Sequence, residues 1–391
     1  MIKHCVRTAV IAFAASMTFA GMANAQEPQG VTKDEVVVGT IQDLSGPVAL
    51  IGSHFRNGMQ MRFDEINAEG GINGRKIRMV VEDSGWDTKK AVLAARKLLD
   101  SDKIFALVNV LGSSIAIATI PLALEKNVLS LFPGAPVPAG YEPLHRLKFA
   151  IDMPYERQTP IGVKYLAKQN GHKRIGIVYQ DDDFGKDVLA GLEIALKDLG
   201  QTLCEKTSFK RGSTDFSSQV QKLREAKCDL VVIGGSTRET IGTMSEARKL
   251  DWRPAFLVTS SAYSAQMHVL GGGVVDGLYA IVFAPHPYAD TANKDLAGWI
   301  DGFKRKFNAD ANPFSVMGYV KADLFSEGLR RAGAKVTPDT VAAAIEGLRY
   351  PGTRFGMPDV VFGPGKHLGV EEARIAQIRN SRWETLTGSL R

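Results

Sequence analysis

Gly112-Ser113-Ser114 is the stretch whose residue types and spacing suit chemistry. An apolar run, Phe105 to Leu111, leads into it and has the character of a buried parallel strand. A helical segment, Ile115 to Lys126, leads out, and a second apolar strand, Val128 to Phe132, ends at Pro133-Gly134. The three residues therefore occupy the strand-to-helix turn of one βαβ unit. At such a turn the first backbone N–H groups lack partners, the helix end carries positive charge, and serine hydroxyls add donors. The chemistry this permits is a grip on the acidic group of a small molecule. Ordinary helix capping by Ser113 or Ser114 uses the same residue types.

No stretch with the marks of catalysis competes with it. The seven histidines, His4 included, are scattered, and none stands at metal-ligand spacing such as His-Glu-x-x-His. There is no Gly-x-Ser-x-Gly elbow. Gly363-Pro364-Gly365-Lys366 lacks the earlier glycine and the following Ser/Thr of a phosphate loop, and Gly271-Gly272-Gly273 reads as a loop, not a dinucleotide fingerprint. His286 is expected to bond backbone in a loop, with a ligand contact as the alternative. The expectation is a binding protein without metal or cofactor. A catalytic site assembled from dispersed residues is the competing class, and turnover of a bound ligand would distinguish it.

The elements that must hold the serine turn require a sizeable scaffold. The chain has 391 residues, 45% hydrophobic and 23% charged, which is globular composition long enough for two domains. Residues 1–25 read as a removable export signal: Lys3 and Arg7, then apolar Ala9 to Ala20, then the small-residue site Ala23-Asn24-Ala25. No cysteine follows that site, so no lipid anchor is expected. Loss of Lys3 and Arg7 takes the net charge from +6 to +4. Both signs are interspersed, with no basic block, so nucleic acid is not an expected partner. Cys204 and Cys228 remain, and two separate buried thiols are expected over a disulfide.

Strands and helices alternate along the chain. Val36 to Ile41 reads as the first strand, followed by Asp43-Leu44-Ser45-Gly46-Pro47 and a helix with Phe55, Met59, Phe63 and Ile66 on one face. A strand from Lys76 to Glu82 follows, then a helix capped by Asp87 and carrying Val92, Ala95 and Leu99. After the serine unit, residues 135–158 form a Pro-rich loop with one short strand, Leu147 to Ile151. The alternation then restarts with strands Arg174–Tyr179, Thr202–Ser208, Leu230–Ile233, Ala255–Thr259 and Leu278–Phe283. Asp181 to Gly185 reads as the exit loop of the first of these. Helices near Lys294–Phe307, Pro313–Ala332 and Pro338–Gly347 precede an irregular tail with short strands near Val360 and Ile375–Arg379. Such alternation predicts parallel sheets with helices on both faces, in two domains of similar build.

In these features the chain resembles the leucine/isoleucine/valine-binding protein family, the ligand receptors of ABC importers. The resemblance rests on Leu44-Ser45-Gly46-Pro47, the run Asp64 to Arg75, Gly112-Ser113-Ser114, Phe184-Gly185, Thr214-Asp215-Phe216-Ser217 and Gly234-Gly235-Ser236. It implies an α/β type I periplasmic-binding fold, two doubly wound parallel-sheet lobes joined by three hinge crossings. The lobes would be residues 26–152 with 285–356, and 153–284 with 357–391, with crossings near Ile151–Pro154, Phe283–Pro285 and Phe355–Pro358. A ligand would be trapped between them in the periplasm and passed to a membrane permease. A sensory ligand-binding domain is the alternative of another class.

By position, the family's carboxylate contacts fall on Ser113 and the backbone at Gly134, with Pro136 where the family often has a threonine. The second lobe offers Phe184 and Ser236. Where amino-acid binders carry an acid for the ligand's ammonium, this chain has Ser260-Ser261, with no Asp or Glu from Val258 to Gly273. The family's short disulfide would fall at Trp86 and Gly112 and cannot form. A buried ammonium needs an anionic partner. The expected ligand is therefore a hydrophobic, even aromatic, carboxylic acid, lined by Trp86, Tyr155 and Phe184 and touched by Ser236 and Ser260. A branched-chain amino acid is the alternative, with Asp181–Asp183 supplying the missing anion.

Overall fold

The β-branched run Val36 to Ile41 builds an inner strand of the first sheet, next to its edge. The computed structural model describes residues 28–391, so the expected export signal lies outside the described residues. The first lobe opens with β1 (Glu35–Gln42), α1 (Ala49–Ala68), β2 (Lys76–Asp83), α2 (Thr88–Asp100), β3 (Ala106–Val108), α3 (Ser113–Glu125), β4 (Leu129–Leu131) and β5 (Lys148–Phe149). Its five strands run parallel in the order β2-β1-β3-β4-β5. The second lobe comprises α4 (Tyr155–Asn170), β6 (Ile175–Gln180), α5 (Asp183–Leu199), β7 (Lys206–Phe209), α6 (Ser217–Glu225), β8 (Leu230–Gly234), α7 (Thr237–Lys249), β9 (Ala255–Val258), α8 (Ala265–Gly271) and β10 (Tyr279–Val282). The chain then returns as α9 (Lys294–Phe307), α10 (Pro313–Ala332), α11 (Pro338–Glu346), β11 (Arg349–Tyr350) and β12 (Val360–Val361), and ends in β13 (Arg374–Arg379) and β14 (Arg382–Thr385).

Four sequence expectations are corrected. The second sheet, ordered β14-β13-β10-β9-β8-β6-β7, is not wholly parallel, because β13 runs antiparallel to β10 and β14 to β13. Asn380 and Ser381 join the last two strands with φ of 50° and 58°, the two-residue turn that makes a hairpin antiparallel. Helix α4 begins at Tyr155, inside the stretch read as loop, with Pro154 before it and Pro160 within it. On α2 the buried face is Ala91, Ala94, Ala95, Leu98 and Leu99, with Val92 off it. The third crossing comes later than Phe355–Pro358. Phe362 packs 5.9 Å from Phe132 and 5.5 Å from Phe149, Leu368 bridges Ala150, and the Val370 N–H donates to Ile151 O at 2.9 Å. Residues 357–370 thus stay against the first sheet, because their apolar side chains complete its core.

That core continues through the crossings. Phe63, Phe105 and Phe132 of the first lobe share one buried cluster with Ile177, Leu230, Val232 and Leu257 of the second, and Ile151, Met153 and Phe283 of the crossings belong to it too. Cys204 and Cys228 are both free thiols. No helix of the described residues is long and apolar enough to cross a membrane.

Candidate functional site

The C-terminal ends of the parallel strands face a cleft between the lobes, as expected of doubly wound sheets. The cleft holds a cavity of about 920 Å³, counted out to its open mouth. The first lobe lines it with Val48, Ile51 and Phe55 around the start of α1, with Trp86, with Leu111, Gly112 and Ser113 at the start of α3, and with Gly134 to Pro136. The start of α10 adds Pro313, Phe314 and Met317. From the second lobe come Tyr155, Phe184, Arg211, Ser236, Ser260, Ser261 and Tyr263, while Asp152, Phe283 and Ala284 belong to the crossings. The walls are thus aromatic and aliphatic, with a few polar groups.

Eight of the nine sequence candidates line this cavity: Trp86, Gly112, Ser113, Gly134, Tyr155, Phe184, Ser236 and Ser260. Ser114 does not; one residue further along α3, it turns out of the lining. Gly112 has φ +103°, and a side chain there would meet the Trp86 ring at 3.0 Å, so glycine allows the indole to lie on the turn. Ser113 is the first residue of α3 and is buried, and its hydroxyl has no hydrogen-bond partner among the described residues. The Gly134 N–H, expected to face an acid, instead donates to Val110 O at 2.7 Å, since the chain after β4 continues to pair with the loop after β3. Ser236 caps α7, its hydroxyl donating to the buried Glu239 carboxylate. The Ser260 N–H donates to Gln158 Oε1 at 3.3 Å. Tyr155 and Phe184 meet edge to face at 4.8 Å, the preferred arrangement for an aromatic wall.

The charged residues lining the cavity, Asp152 and Arg211, are paired within the protein. Asp152 faces Lys321 Nζ at 3.1 Å, and the fully buried lysine also donates to Pro133 O at 2.8 Å and lies 5.1 Å from the Phe55 ring. Burial holds the Lys321 pKa below its ordinary value, opposed by the Asp152 charge. Asp182 accepts from the Phe184 and Gly185 N–H groups as the α5 cap and pairs with Arg211 at 2.6 Å. Asp181 points to Lys186 at 3.9 Å, and none of Asp181, Asp182 and Asp183 lines the cavity. His286 is buried beside the cleft with neither ring nitrogen bonded, contrary to the expected backbone bond. It stacks on Tyr288 at 4.2 Å, and burial lowers its pKa to about 3.

Two α/β lobes closing on a cleft at their strand ends define the architecture, and the sequence matches it along its length. A sequence profile described as periplasmic binding protein matches residues 35–382. The chain belongs to the periplasmic binding protein family, of the leucine/isoleucine/valine-binding type. It is 25% identical over 332 residues to the leucine-, isoleucine-, valine-, threonine- and alanine-binding protein of Pseudomonas aeruginosa, covering 85% of this chain and 86% of that one. Among solved structures it is similar to a fatty acid ABC transporter substrate-binding protein from Thermomonospora curvata, with TM-score 0.83, 22% identity, and 93% and 94% of the two chains covered. It is also similar to an ABC transporter solute binding protein from R. palustris in complex with benzoate, with TM-score 0.79, 17% identity, and 91% and 96% covered.

Members of this family are substrate-binding proteins that bind small molecules and work with ABC permeases. In this member the two positions that resemblance assigned to a family disulfide, 86 and 112, are adjacent, and a ring against a glycine replaces the bond. Sequence reasoning missed Arg211, the Asp152–Lys321 pair, Tyr263 and the α10 contribution. Arg211 sits in a loop with no local motif, and Lys321 lies mid-helix, 188 residues from the carbonyl it binds. Only the unusual Lys between apolar Val320 and Ala322 hinted at a buried charge.

Proposed function

We propose that this periplasmic binding protein traps a small hydrophobic carboxylic acid, aromatic acids included, and delivers it to the permease of an ABC importer. The observation that carries the reading is the pairing of an open serine-bearing helix start with a cleft that has no free anion. At Ser113 the first-turn N–H groups and the unbonded hydroxyl suit a carboxylate. An ammonium would find Ser260 and Ser261 where amino-acid binders keep an acid. Asp152, the acidic residue lining the cavity, is engaged by Lys321 at 3.1 Å. The apolar body of the ligand would lie among Trp86, Tyr155, Phe184 and Phe314. The benzoate complex of one structural neighbour is consistent with this ligand class.

A branched-chain amino acid is the second reading, favoured by the amino-acid-binding relative from Pseudomonas aeruginosa. Leucine and 4-methylpentanoate separate the two, because they differ only by the ammonium. In calorimetric titrations, 4-methylpentanoate or benzoate is expected to bind and leucine to bind far more weakly. Tight leucine binding with no response to either acid would overturn the proposal. Recovery of the titrated acid unchanged after long incubation is expected of a receptor, whereas its conversion would indicate an enzyme.

A further inference from the structure

We infer that Arg211 is a positioning residue that ties the two walls of the cleft together and sets ligand residence time. The inference rests on the cleft as binding site but not on the identity of the ligand. Arg211 stands in the loop between β7 and α6 of the second lobe. Its Nη1 donates across the cleft to the Trp86 carbonyl of the first lobe at 2.8 Å. Its guanidinium also lies 4.8 Å from the centre of the Trp86 ring, within cation–π range. On its own side, Nη2 is fixed by Asp182 at 2.6 Å.

Each end of this bridge is built into the ligand walls. Asp182 is the cap that receives the Phe184 N–H, and Phe184 lines the cavity. Trp86 lines it too, rests on Gly112 next to Ser113, and is held at φ +63°, a left-handed conformation that is unusual for a bulky side chain. Arg211 thus connects the start of α5 to the start of α3 through one side chain. Opening the cleft would break the Trp86 contacts and leave the Asp182 pair intact. Differential contact of that kind biases a two-state hinge toward closure. Lysine cannot replace it, because one ammonium lacks the planar fork that reaches both partners.

The test uses the full mature protein and begins without ligand. Small-angle X-ray scattering of wild type and Arg211→Ala is expected to show a larger radius of gyration for the variant. Trp86→Phe supplies the reference spectrum, so the change in tryptophan emission caused by Arg211→Ala should vanish in the Trp86→Phe background. With benzoate as probe, Arg211→Ala should raise the dissociation rate about tenfold while the association rate changes little. Arg211→Lys should behave like the alanine variant. An unchanged radius of gyration and emission in Arg211→Ala would overturn the inference, even if its melting temperature fell. Failure of wild type to bind benzoate would count against the ligand proposal alone, because the ligand-free measurements stand by themselves.

Discussion

One hydroxyl carries much of the proposed recognition. Ser113 starts α3, is buried, and has no protein partner among the described residues. Ser113→Ala should weaken binding of a carboxylate ligand by about 1–3 kcal/mol, as for a hydrogen bond to a charged group, measured by calorimetric titration. Ser114→Ala, off the cavity, should change it little, and equal losses would reassign the contact. Asp187 offers a test by pH. It accepts from the Tyr155 N–H at 2.9 Å, and burial, then the neighbouring Glu156 charge, raises its pKa from 3.8 to about 7. The folded state therefore holds this proton more tightly than the unfolded chain. Its contribution to stability is full below about pH 4, falls as pH rises, and is lost above about pH 7. Asp187→Asn should flatten that slope, with the melting temperature compared at pH 4.5 and 8, and a slope unchanged from wild type would contradict the assignment. Ser113 was legible because strand, break and helix adjoin in sequence. Asp187, Arg211 and Lys321 were not, because their partners come from other elements.

At the scale of elements, periodicity and turn chemistry were enough for most strands and helices, and their failures have local causes. Helix α4 was hidden by its prolines. Pro160 removes one N–H, and the Glu156 carbonyl it would have served packs instead against Gly191 of α5, where a side chain would come within 2.8 Å. The hairpin of β13 and β14 was hidden because Asn380-Ser381 is not a typical turn pair. A close helix–helix approach in the first lobe was equally silent. Where α1 crosses α10, a side chain at Gly58 would lie 2.0 Å from Ser315 O, and one at Gly318 2.3 Å from Phe55 O. Two backbones meet there without side chains between them, and the residues beside the crossing, Phe55, Phe314 and Met317, line the cavity. Gly58→Ala should therefore cost about 1–3 kcal/mol or more of stability and also weaken ligand binding. Gly298→Ala, on α9, provides the contrast for added volume, since nothing lies within 4 Å of a side chain there and its backbone is helical. A Gly58→Ala protein with wild-type melting and affinity would show that the helices can part freely.

At the scale of the molecule, two lobes with separate sheets suggest two independent melting units, yet the packing argues for one. Neither lobe is a continuous piece of chain, because the polypeptide crosses between them three times. The crossing residues Ile151, Met153 and Phe283 are buried in the same cluster as the strands of both sheets. Unfolding either lobe would expose this shared apolar surface, at about 25 cal/mol per Å², and unfasten the ends of the other. The second lobe does have an outer layer of its own, with Val231, Phe256 and Trp383, but its strands also face the shared core. Ligand-free protein should therefore melt in one calorimetric transition, with equal calorimetric and van't Hoff enthalpies. A ligand at 100 times its dissociation constant should move that transition upward as a unit, by the equivalent of about 2.7 kcal/mol. Two resolved transitions, with only one responding to ligand, would mean that the lobes are coupled by the ligand alone. A single responsive transition would instead make the crossings part of the core, so that hinge movement must proceed without exposing it.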